Sequence, residues 1–383
     1  MIIGIDANEA NLTSQRVGVN QYAFGLLHAL YRQKTDHRFI IYLKTPVLGD
    51  LPAAKTGWEY RVIPFPKLWT QTRLPMDLYT HLPRPDVFFS MAHYAPRFSP
   101  IPTVVAIMDL GFLEFPDQFT PKDYNQLKNW TAYSVKRAAC VIAISENTKK
   151  DIISAYGIDP AKITVTYPGY DQKLFKPTKN PRILKKYGIS RNYLFFLGSL
   201  RPSKNIEGLI KAFAQLLHTR FKSPLRAGGG IGGLPEKLSL VISGKKGWLY
   251  DRIFQTVADL GLDKQVIFTG FVEEEEVPAL MSHATAFVMP SFYEGFGIPV
   301  VNAMACGTPV VVSRVASLPE VVGNAGIFVD PADPASISSG IIEAIGSMRN
   351  RYVKAGLKRV KLFDWDRTAQ KTMQVIETAV KNI

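Results

Sequence analysis

The chain has 383 residues, of which 46% are hydrophobic, and this length and composition favour two soluble globular domains. Its formal net charge of +14 is dispersed, and because no nucleic-acid-binding motif accompanies it, nucleic acid is not an expected partner. The cysteines, Cys140 and Cys306, lie in apolar segments of separate halves, which excludes a disulfide framework and favours a reducing cytoplasm. Neither a signal peptide nor a membrane span of roughly 20 apolar residues is recognised. We therefore expect a cytoplasmic protein.

Strand-like apolar runs alternate with helical periods through the first half of the chain. Met1 to Ile5 is predicted as a strand, and Gly18 to Tyr31 as a helix. The other predicted elements are strands at 39–43, 62–64, 87–90, 103–107, 141–144 and 163–166, with helices around 121–138 and 147–156. This alternation predicts parallel βαβ units, hence a doubly wound α/β domain over residues 1–180. The segment 167–181, at the end of this domain, contains three prolines and is predicted to be the linker between the two domains.

A second alternation predicts another Rossmann-like domain over residues 181–383. Its predicted elements are strands at 193–197, 238–243, 266–269, 284–289, 309–312 and 327–329, and helices at 206–219, 249–260 and 275–282, near Leu318 and at the C-terminus. The last helices are predicted to pack back toward the first domain. The glycine-rich segment 226–234 is predicted to be a flexible surface excursion. Because ligands bind at the carboxyl ends of parallel strands, we expect both sheets to face one cleft.

The segment 290–312 follows a predicted strand and passes through Gly-Phe-Gly into an apolar helix. A helix start offers unpaired backbone N–H groups and the positive end of the helix dipole, which suit an anionic ligand. Gly295 and Gly297 would let that ligand approach the backbone. Glu294 lies just before the helix start and Asn302 about two turns further on, so both could face the same crevice.

A second loop with functional character joins the first strand of the second domain to its helix. After Gly198, this loop carries Arg201 and Lys204, a guanidinium and an ammonium that can jointly hold phosphate oxygens. A diphosphate is therefore a plausible ligand. The alternative is two solvated loop charges.

In the first domain, Gly18 begins a helix and could admit a phosphate or sugar. Asp109 follows a strand and points to the same cleft, with a helix or turn cap as the alternative. No metal site is predicted, because the histidines are scattered and Asp364-Trp365-Asp366 lies in a late helical region. Walker and Gly-x-Ser-x-Gly sequences are absent, and no Gly-x-Gly-x-x-Gly follows either opening strand, which argues against a dehydrogenase.

Together these segments resemble the GT-B glycosyltransferases, specifically glycosyltransferase family 4. The resemblance covers almost the whole chain and is carried by Gly4-Ile-Asp-Ala, Gly18-Val-Asn-Gln-Tyr, Val141-Ile-Ala-Ile-Ser-Glu-Asn-Thr, Gly198-Ser-Leu-Arg-Pro-Ser-Lys-Asn, Ile242-Ser-Gly-Lys-Lys-Gly-Trp, Phe268-Thr-Gly-Phe-Val, Ser291-Phe-Tyr-Glu-Gly-Phe-Gly-Ile-Pro, Ala303-Met-Ala-Cys-Gly-Thr-Pro-Val-Val and Leu318-Pro-Glu-Val-Val-Gly. It implies a retaining enzyme that uses a nucleotide diphosphate sugar as co-substrate and needs neither a metal nor another cofactor.

The resemblance also implies roles for individual residues. Arg201 and Lys204 would hold the donor diphosphate and stabilise its departure. Glu294 would contact the hexose hydroxyls. The remaining donor-site residues would be Gly18, Gly198, Gly295, Phe296, Gly297 and Asn302, with Asp109 the candidate catalytic polar group beside the acceptor.

Two positions depart from the family pattern. The family has a second glutamate, which contacts the ribose, where this chain has Asn302, and an amide lacks the charge-assisted hydrogen bond of a carboxylate. Close relatives have His-Asp where this chain has Met108-Asp109, and methionine is not a comparable donor.

The predicted function is transfer of a hexose, with mannose as first guess, to a glycan or lipid-linked acceptor in surface polysaccharide assembly. One alternative is a degenerate, non-catalytic nucleotide-sugar-binding or regulatory member, because of Met108 and Asn302. Another is a GT-B epimerase or phosphorylase. Aromatic and basic residues mix in 65–75, which predicts either peripheral contact with the anionic inner face of a membrane or ordinary packing around the acceptor.

Overall fold

The computed structural model describes residues 1–13, 15–16, 18–190, 192–222 and 237–381. The chain divides into two compact units: Met1–Gly169 with Phe363–Ile383, and Tyr170–Leu362. The first division lies inside the segment 167–181 that the sequence predicts as a linker. The domain limits 1–180 and 181–383 stay a prediction. The glycine-rich segment 226–234 lies outside the described residues.

The first unit is built on a parallel sheet whose strand order is β3-β2-β1-β4-β5-β6-β7. Its strands are β1 (Ile2–Asp6), β2 (Arg38–Leu43), β3 (Trp58–Val62), β4 (Val87–Ser90), β5 (Thr103–Ile107), β6 (Cys140–Ala143) and β7 (Ile163–Val165). Its helices are α1 (Val19–Arg32), α2 (Arg73–Thr80), α3 (Gly111–Glu114), α4 (Pro121–Arg137), α5 (Glu146–Tyr156) and, from the end of the chain, α14 (Trp365–Lys381).

The central strands of this sheet are buried along their whole length, which is why they are visible in the sequence as short apolar runs. Every residue of β4, β5 and β6 is buried, as expected for parallel strands covered on both faces. Ile3 pairs with Phe39 of β2, and Ile5 with Phe89 of β4, so β1 lies between them. The C-terminal helix α14 packs against α1, β4, β5 and β6, and so completes the first unit.

The second unit has a parallel sheet with the order β10-β9-β8-β11-β12-β13. Its strands are β8 (Tyr193–Leu197), β9 (Ser239–Ser243), β10 (Val266–Gly270), β11 (Ala286–Met289), β12 (Val310–Ser313) and β13 (Gly326–Val329). Its helices are α6 (Arg182–Lys186), α7 (Ile206–Lys222), α8 (Asp251–Asp259), α9 (Val277–His283), α10 (Ile298–Ala305), α11 (Leu318–Val322), α12 (Pro334–Ile345) and α13 (Arg349–Arg359).

Both sheets reverse their strand order beside the first strand, between β1 and β4 in one unit and between β8 and β11 in the other. In such doubly wound sheets, ligands bind outside the carboxyl ends of the strands at this switch point. The predicted α/β class with two Rossmann-like sheets is confirmed. None of the helices in the described residues is long and apolar enough to cross a membrane.

Candidate active site

The two loops of the sequence prediction in the second unit lie on either side of its switch point. One loop, 198–205, follows β8, and the other, 290–297, follows β11. The main-chain N–H of Phe292 donates to Ser203 O at 2.9 Å, and Asn205 Nδ2 donates to Pro290 O at 3.0 Å. These hydrogen bonds join the loops into one structure.

The loop after β8 is fixed by the loop after β9. Leu200 N donates to Lys245 O at 2.9 Å, and Gly247 N donates to Leu200 O at 3.0 Å. Gly244 has φ +146°, and a Cβ built there would lie 1.9 Å from Gly198 O. Only glycine permits so close an approach, which sets the backbone that leads to Arg201.

Lys204 and Glu294 form the polar centre of this site. Lys204 Nζ lies 2.6 Å from Glu294 Oε1, and the two side chains are only 12% and 10% exposed. The same oxygen accepts a hydrogen bond from Ser291 Oγ at 2.8 Å. A charge-assisted pair that is mostly withdrawn from water holds both side chains in place.

The backbone around Glu294 is also held. Ser317 Oγ donates to Glu294 O at 2.7 Å, and Ser313 Oγ donates to Ser291 O. Gly297 has φ +90° and immediately precedes α10, with no side-chain cap at the helix start. The segment Glu294 to Gly297, including Gly295 and Phe296, is buried. The uncapped start of α10 therefore retains the property that suits an anion.

Two buried polar atoms beside these loops have no hydrogen-bond partner within the described part of the chain. They are Arg201 Nε and Asn302 Oδ1. Asn302 is 7% exposed, so water has little access to its side chain and does not readily replace the missing hydrogen bond. Both atoms are therefore able to hydrogen-bond a ligand, Arg201 Nε as a donor and Asn302 Oδ1 as an acceptor.

The remaining predicted residues, Gly18 and Asp109, belong to the first unit. Gly18 has φ +54° and precedes α1, and a Cβ there would meet nothing within 4 Å. Asp109 Oδ1 accepts from Gly111 N at 2.9 Å at the start of α3, which is the turn contact named as its alternative. The structure thus brings together the predicted residues of the second unit, and it gives Asp109 a local structural contact.

His93 is a candidate that sequence reasoning missed. Its main-chain N–H donates to Ala106 O at 2.9 Å, and its ring Nδ1 is buried without a hydrogen-bond partner in the described residues. Burial lowers the pKa of His93, and the nearby Asp109 carboxylate opposes this shift. An imidazole therefore lies near Asp109 although position 108 is methionine. His93 follows β4 and Asp109 follows β5, which are neighbouring strands. This placement could have indicated His93, whereas a search for metal-ligand spacing could not.

No group of three His, Cys, Asp or Glu side chains with metal-binding geometry occurs among the residues that the structure describes. The polar side chains that the two loops and α10 bring to the candidate site are those of Arg201, Lys204, Glu294 and Asn302.

Comparison with known proteins identifies the family of this chain. Residues 17–174 match the model Glycosyltransferase Family 4, and residues 179–359 match Glycosyl transferases group 1. The chain is 31% identical over 277 residues to O-antigen chain mannosyltransferase B of Escherichia coli, covering 70% of this chain and 68% of that protein. It is 29% identical to D-inositol 3-phosphate glycosyltransferase of Nocardioides sp., covering 64% and 55%. It is 30% identical to O-antigen chain mannosyltransferase RfbU of Salmonella typhimurium, covering 65% and 63%.

Solved structures agree on the fold. Sucrose-phosphate synthase from Thermosynechococcus elongatus superposes with a TM-score of 0.78 at 19% identity, over 100% of both chains. Anabaena HepE in complex with UDP and glucose gives 0.73 at 20% identity, over 98% of this chain and 99% of that one. The fold and the family matches therefore define a GT-B glycosyltransferase. The chain belongs to glycosyltransferase family 4.

Proposed function

We propose that this protein transfers a hexose, with retention of anomeric configuration and without a metal, from a nucleotide diphosphate sugar to a glycan or lipid-linked hydroxyl. The observation that carries the proposal is the buried Lys204–Glu294 pair at the uncapped start of α10, with the unpaired Arg201 Nε beside it. Cations and backbone N–H groups suit a diphosphate, and a carboxylate suits sugar hydroxyls.

The diphosphate would be held by Arg201, by Lys204 and by the first N–H groups of α10. The ammonium of Lys204 is held by its ion pair with Glu294, and a positive charge fixed at this point suits phosphate oxygens. A guanidinium can bind such oxygens in a forked geometry. The positive charges would stabilise the leaving group as its bond to the sugar breaks.

The sugar and the ribose would contact the remaining acceptors. Glu294 Oε1 already accepts from Lys204 and Ser291, whereas Oε2 carries no hydrogen bond within the described residues and can accept from a hexose hydroxyl. Asn302 Oδ1 can accept from a ribose hydroxyl, the contact that a glutamate makes in the family pattern. Each contact would satisfy a group that is buried in the empty protein.

The reaction breaks the bond between the anomeric carbon and the β-phosphate oxygen. The acceptor oxygen bonds to the same face of that carbon, and its proton passes to the departing phosphate oxygen. Retention follows from attack on the face that the leaving group vacates. The chain's own contribution is positioning and electrostatic stabilisation.

Mannose is the first candidate for the hexose, because two of the relatives bear the name O-antigen chain mannosyltransferase. Those names also support a glycan acceptor. The HepE complex holds UDP and glucose, so the test includes uridine donors as well as GDP-mannose.

The test is donor hydrolysis and transfer with GDP-mannose, UDP-glucose, UDP-galactose and UDP-N-acetylglucosamine, with and without EDTA. We expect turnover of one donor, unchanged by EDTA, and a product whose anomeric proton coupling shows retention. Glu294→Ala should abolish turnover. If no donor is hydrolysed and Glu294→Ala leaves nucleotide binding unchanged, the catalytic proposal fails and a binding role replaces it.

We also propose peripheral contact of the first unit with an anionic membrane surface. Exposed apolar side chains, including Leu68, Leu82 and Phe98, lie in segments that also carry the exposed basic side chains of Lys67 and Arg84. Arg97 N donates to Thr70 O at 3.0 Å, which joins two of these segments. Apolar and basic groups together favour anionic lipid.

Co-sedimentation with phosphatidylglycerol-containing vesicles tests this contact. Binding should occur at low salt, weaken at high salt, and fall in Leu82→Ser/Phe98→Ser. Leu362→Ser, an exposed leucine of the second unit, is the matched control and should bind as the unaltered protein does. Absence of binding at low salt would remove the proposal.

A further inference from the structure

The second unit carries a basic surface built from two segments that are far apart in the sequence. These are 172–186, which runs from the predicted linker into α6, and 344–362, which contains α13. Each segment holds six lysines and arginines in total and neither aspartate nor glutamate. Although the net charge of +14 is spread along the sequence, these two segments therefore carry a large part of the positive excess.

The two segments meet at Gly307. A Cβ built on Gly307 would lie 3.5 Å from Pro177 Cγ and 3.8 Å from Val353 Cγ1, so both segments pack beside this one residue. The exposed basic side chains nearest in sequence to these two contacts are those of Lys176, Lys179, Arg351 and Lys354. The fold therefore joins the two basic segments into one surface, which we call the basic surface of the second unit.

The exposed basic residues of α13 lie on one face of the helix. Arg351, Lys354 and Lys358 follow one another at spacings of three and four residues, and all three are exposed. The other face packs on the core, where a Cβ built on Gly356 would lie 3.3 Å from Met304 Cβ. None of the three cations makes an ion pair within the described residues. Because like charges at this spacing destabilise a helix, an anionic partner would relieve the repulsion.

The composition of the basic surface favours a lipid bilayer over nucleic acid. Most of its exposed cations are lysines, which are point charges on flexible stems and suit a diffuse anionic surface. Binding of single-stranded nucleic acid relies on exposed aromatic rings that stack on bases. The aromatic residues of the two segments do not offer this, because Phe175 is 4% exposed and the half-buried Tyr352 donates its hydroxyl hydrogen bond to Glu343.

We propose that the basic surface of the second unit binds the headgroups of an anionic membrane through charge alone. Each lysine or arginine near such a membrane adds to the attraction, which salt screens within a Debye length. The inference does not depend on the proposed glycosyl transfer, and it concerns a different unit from the membrane contact proposed above. Because apolar side chains take no part in it, Leu362→Ser remains the control for the first-unit contact.

The test is co-sedimentation of the full-length protein with phosphatidylglycerol vesicles and with phosphatidylcholine vesicles at low salt. Lys176→Gln/Lys179→Gln and Lys354→Gln/Lys358→Gln should each lower the partition coefficient onto phosphatidylglycerol about tenfold or more, since two charges leave the surface. The matched control is Lys237→Gln/Lys264→Gln, which removes two exposed lysines that precede β9 and β10 in the same unit. It takes away the same charge from elsewhere and should change the partition coefficient much less.

Two further measurements separate this inference from the proposals made above. The losses caused by Leu82→Ser/Phe98→Ser and by either lysine pair should add, because the substituted residues lie in different units. Donor hydrolysis in solution should be the same in every lysine variant as in the unaltered protein.

The inference is wrong if both lysine pairs bind phosphatidylglycerol as the unaltered protein does, or if the control pair loses as much binding as they do. It is also wrong if phosphatidylcholine vesicles bind equally well. Loss of vesicle binding in Leu82→Ser/Phe98→Ser but in neither lysine pair would leave the first-unit contact standing and remove this one. If the lysine pairs instead lose binding to an oligothymidine strand and vesicles do not bind, nucleic acid replaces the membrane as the partner.

Discussion

The ion pair between Lys204 and Glu294 is sensitive to the loss of either residue, because the remaining side chain would be charged, mostly buried and without its partner. Glu294→Gln retains the shape of the side chain and loses its charge. We expect the rate of transfer to fall by about 10² or more, since a positioned charged group at the reacting sugar is lost. Steady-state kinetics give the rate. Glu273→Gln, an exposed acid of the same unit, is the control and should not change it.

Asn302 is predicted to serve the ligand rather than the fold, because its Oδ1 is buried and unpaired in the described chain. Asn302→Ala should weaken nucleoside diphosphate binding about tenfold and leave the free energy of unfolding of the empty protein nearly unchanged. Asn11 makes the matched comparison, since it is 3% exposed and hydrogen-bonded through both side-chain atoms. Asn11→Ala should lower that free energy by about 1–3 kcal/mol. Calorimetric titration and urea unfolding separate the two effects.

His93 predicts a pH dependence of stability. Burial lowers its pKa in the folded protein, while the nearby Asp109 acts in the opposite direction and does not reverse the shift. As the pH falls through about 6.5, the His93 imidazole binds a proton in the unfolded chain but not in the folded protein. The free energy of unfolding therefore falls by at most about 1.4 kcal/mol per pH unit. Urea unfolding at pH 7.5 and 5.5 should show a smaller loss in His93→Asn. His218→Asn, at an exposed site, should lose as much as the unaltered chain.

The loops after β8 and β9 work as one element through Gly244. A Cβ at this position would lie 1.9 Å from Gly198 O, whereas a Cβ at Gly261, with φ +62°, would meet nothing within 4 Å. Gly261→Ala should therefore show only the backbone strain, about 1–2 kcal/mol. Gly244→Ala should destabilise more and also weaken donor binding, because the backbone before Arg201 must move. Equal effects of the two substitutions on donor binding would contradict this account.

Sequence patterns predicted the strands and the α/β class, and the roles of the candidate site residues stay predictions. Buried parallel strands such as β5 are continuous apolar runs, and their period is visible without tertiary information. The donor-side residues were accessible because Arg201, Lys204 and Glu294 lie in two local motifs. His93 was not, because its position near Asp109 depends on which strand ends become neighbours. Strand order is set by pairing across the sheet, and no local pattern encodes it.

At the scale of the whole molecule, the first unit needs both ends of the chain. Trp365 of α14 packs against Tyr22, and a Cβ at Gly25 would lie 2.4 Å from Trp365 Cε2. Trp365→Ala should destabilise the first unit by about 3 kcal/mol, the lower end for loss of a large packed aromatic, because this side chain is half-buried. Trp248→Ala, at a side chain 48% exposed in the second unit, should change little. Calorimetry should show one unfolding transition shifted in Trp365→Ala and the other unmoved.

The return of α14 also orders events during synthesis. The second unit, Tyr170–Leu362, is one uninterrupted stretch, whereas the first unit receives its last helix from the final residues of the chain. A chain that reaches only Leu362 contains every residue of the second unit but lacks α14, so the α1 surface around Gly25 is uncovered in it. A released chain truncated after Leu362 should therefore bind nucleotide while residues 1–169 remain sensitive to protease. Residues 1–169 therefore finish folding only after α14 has been made.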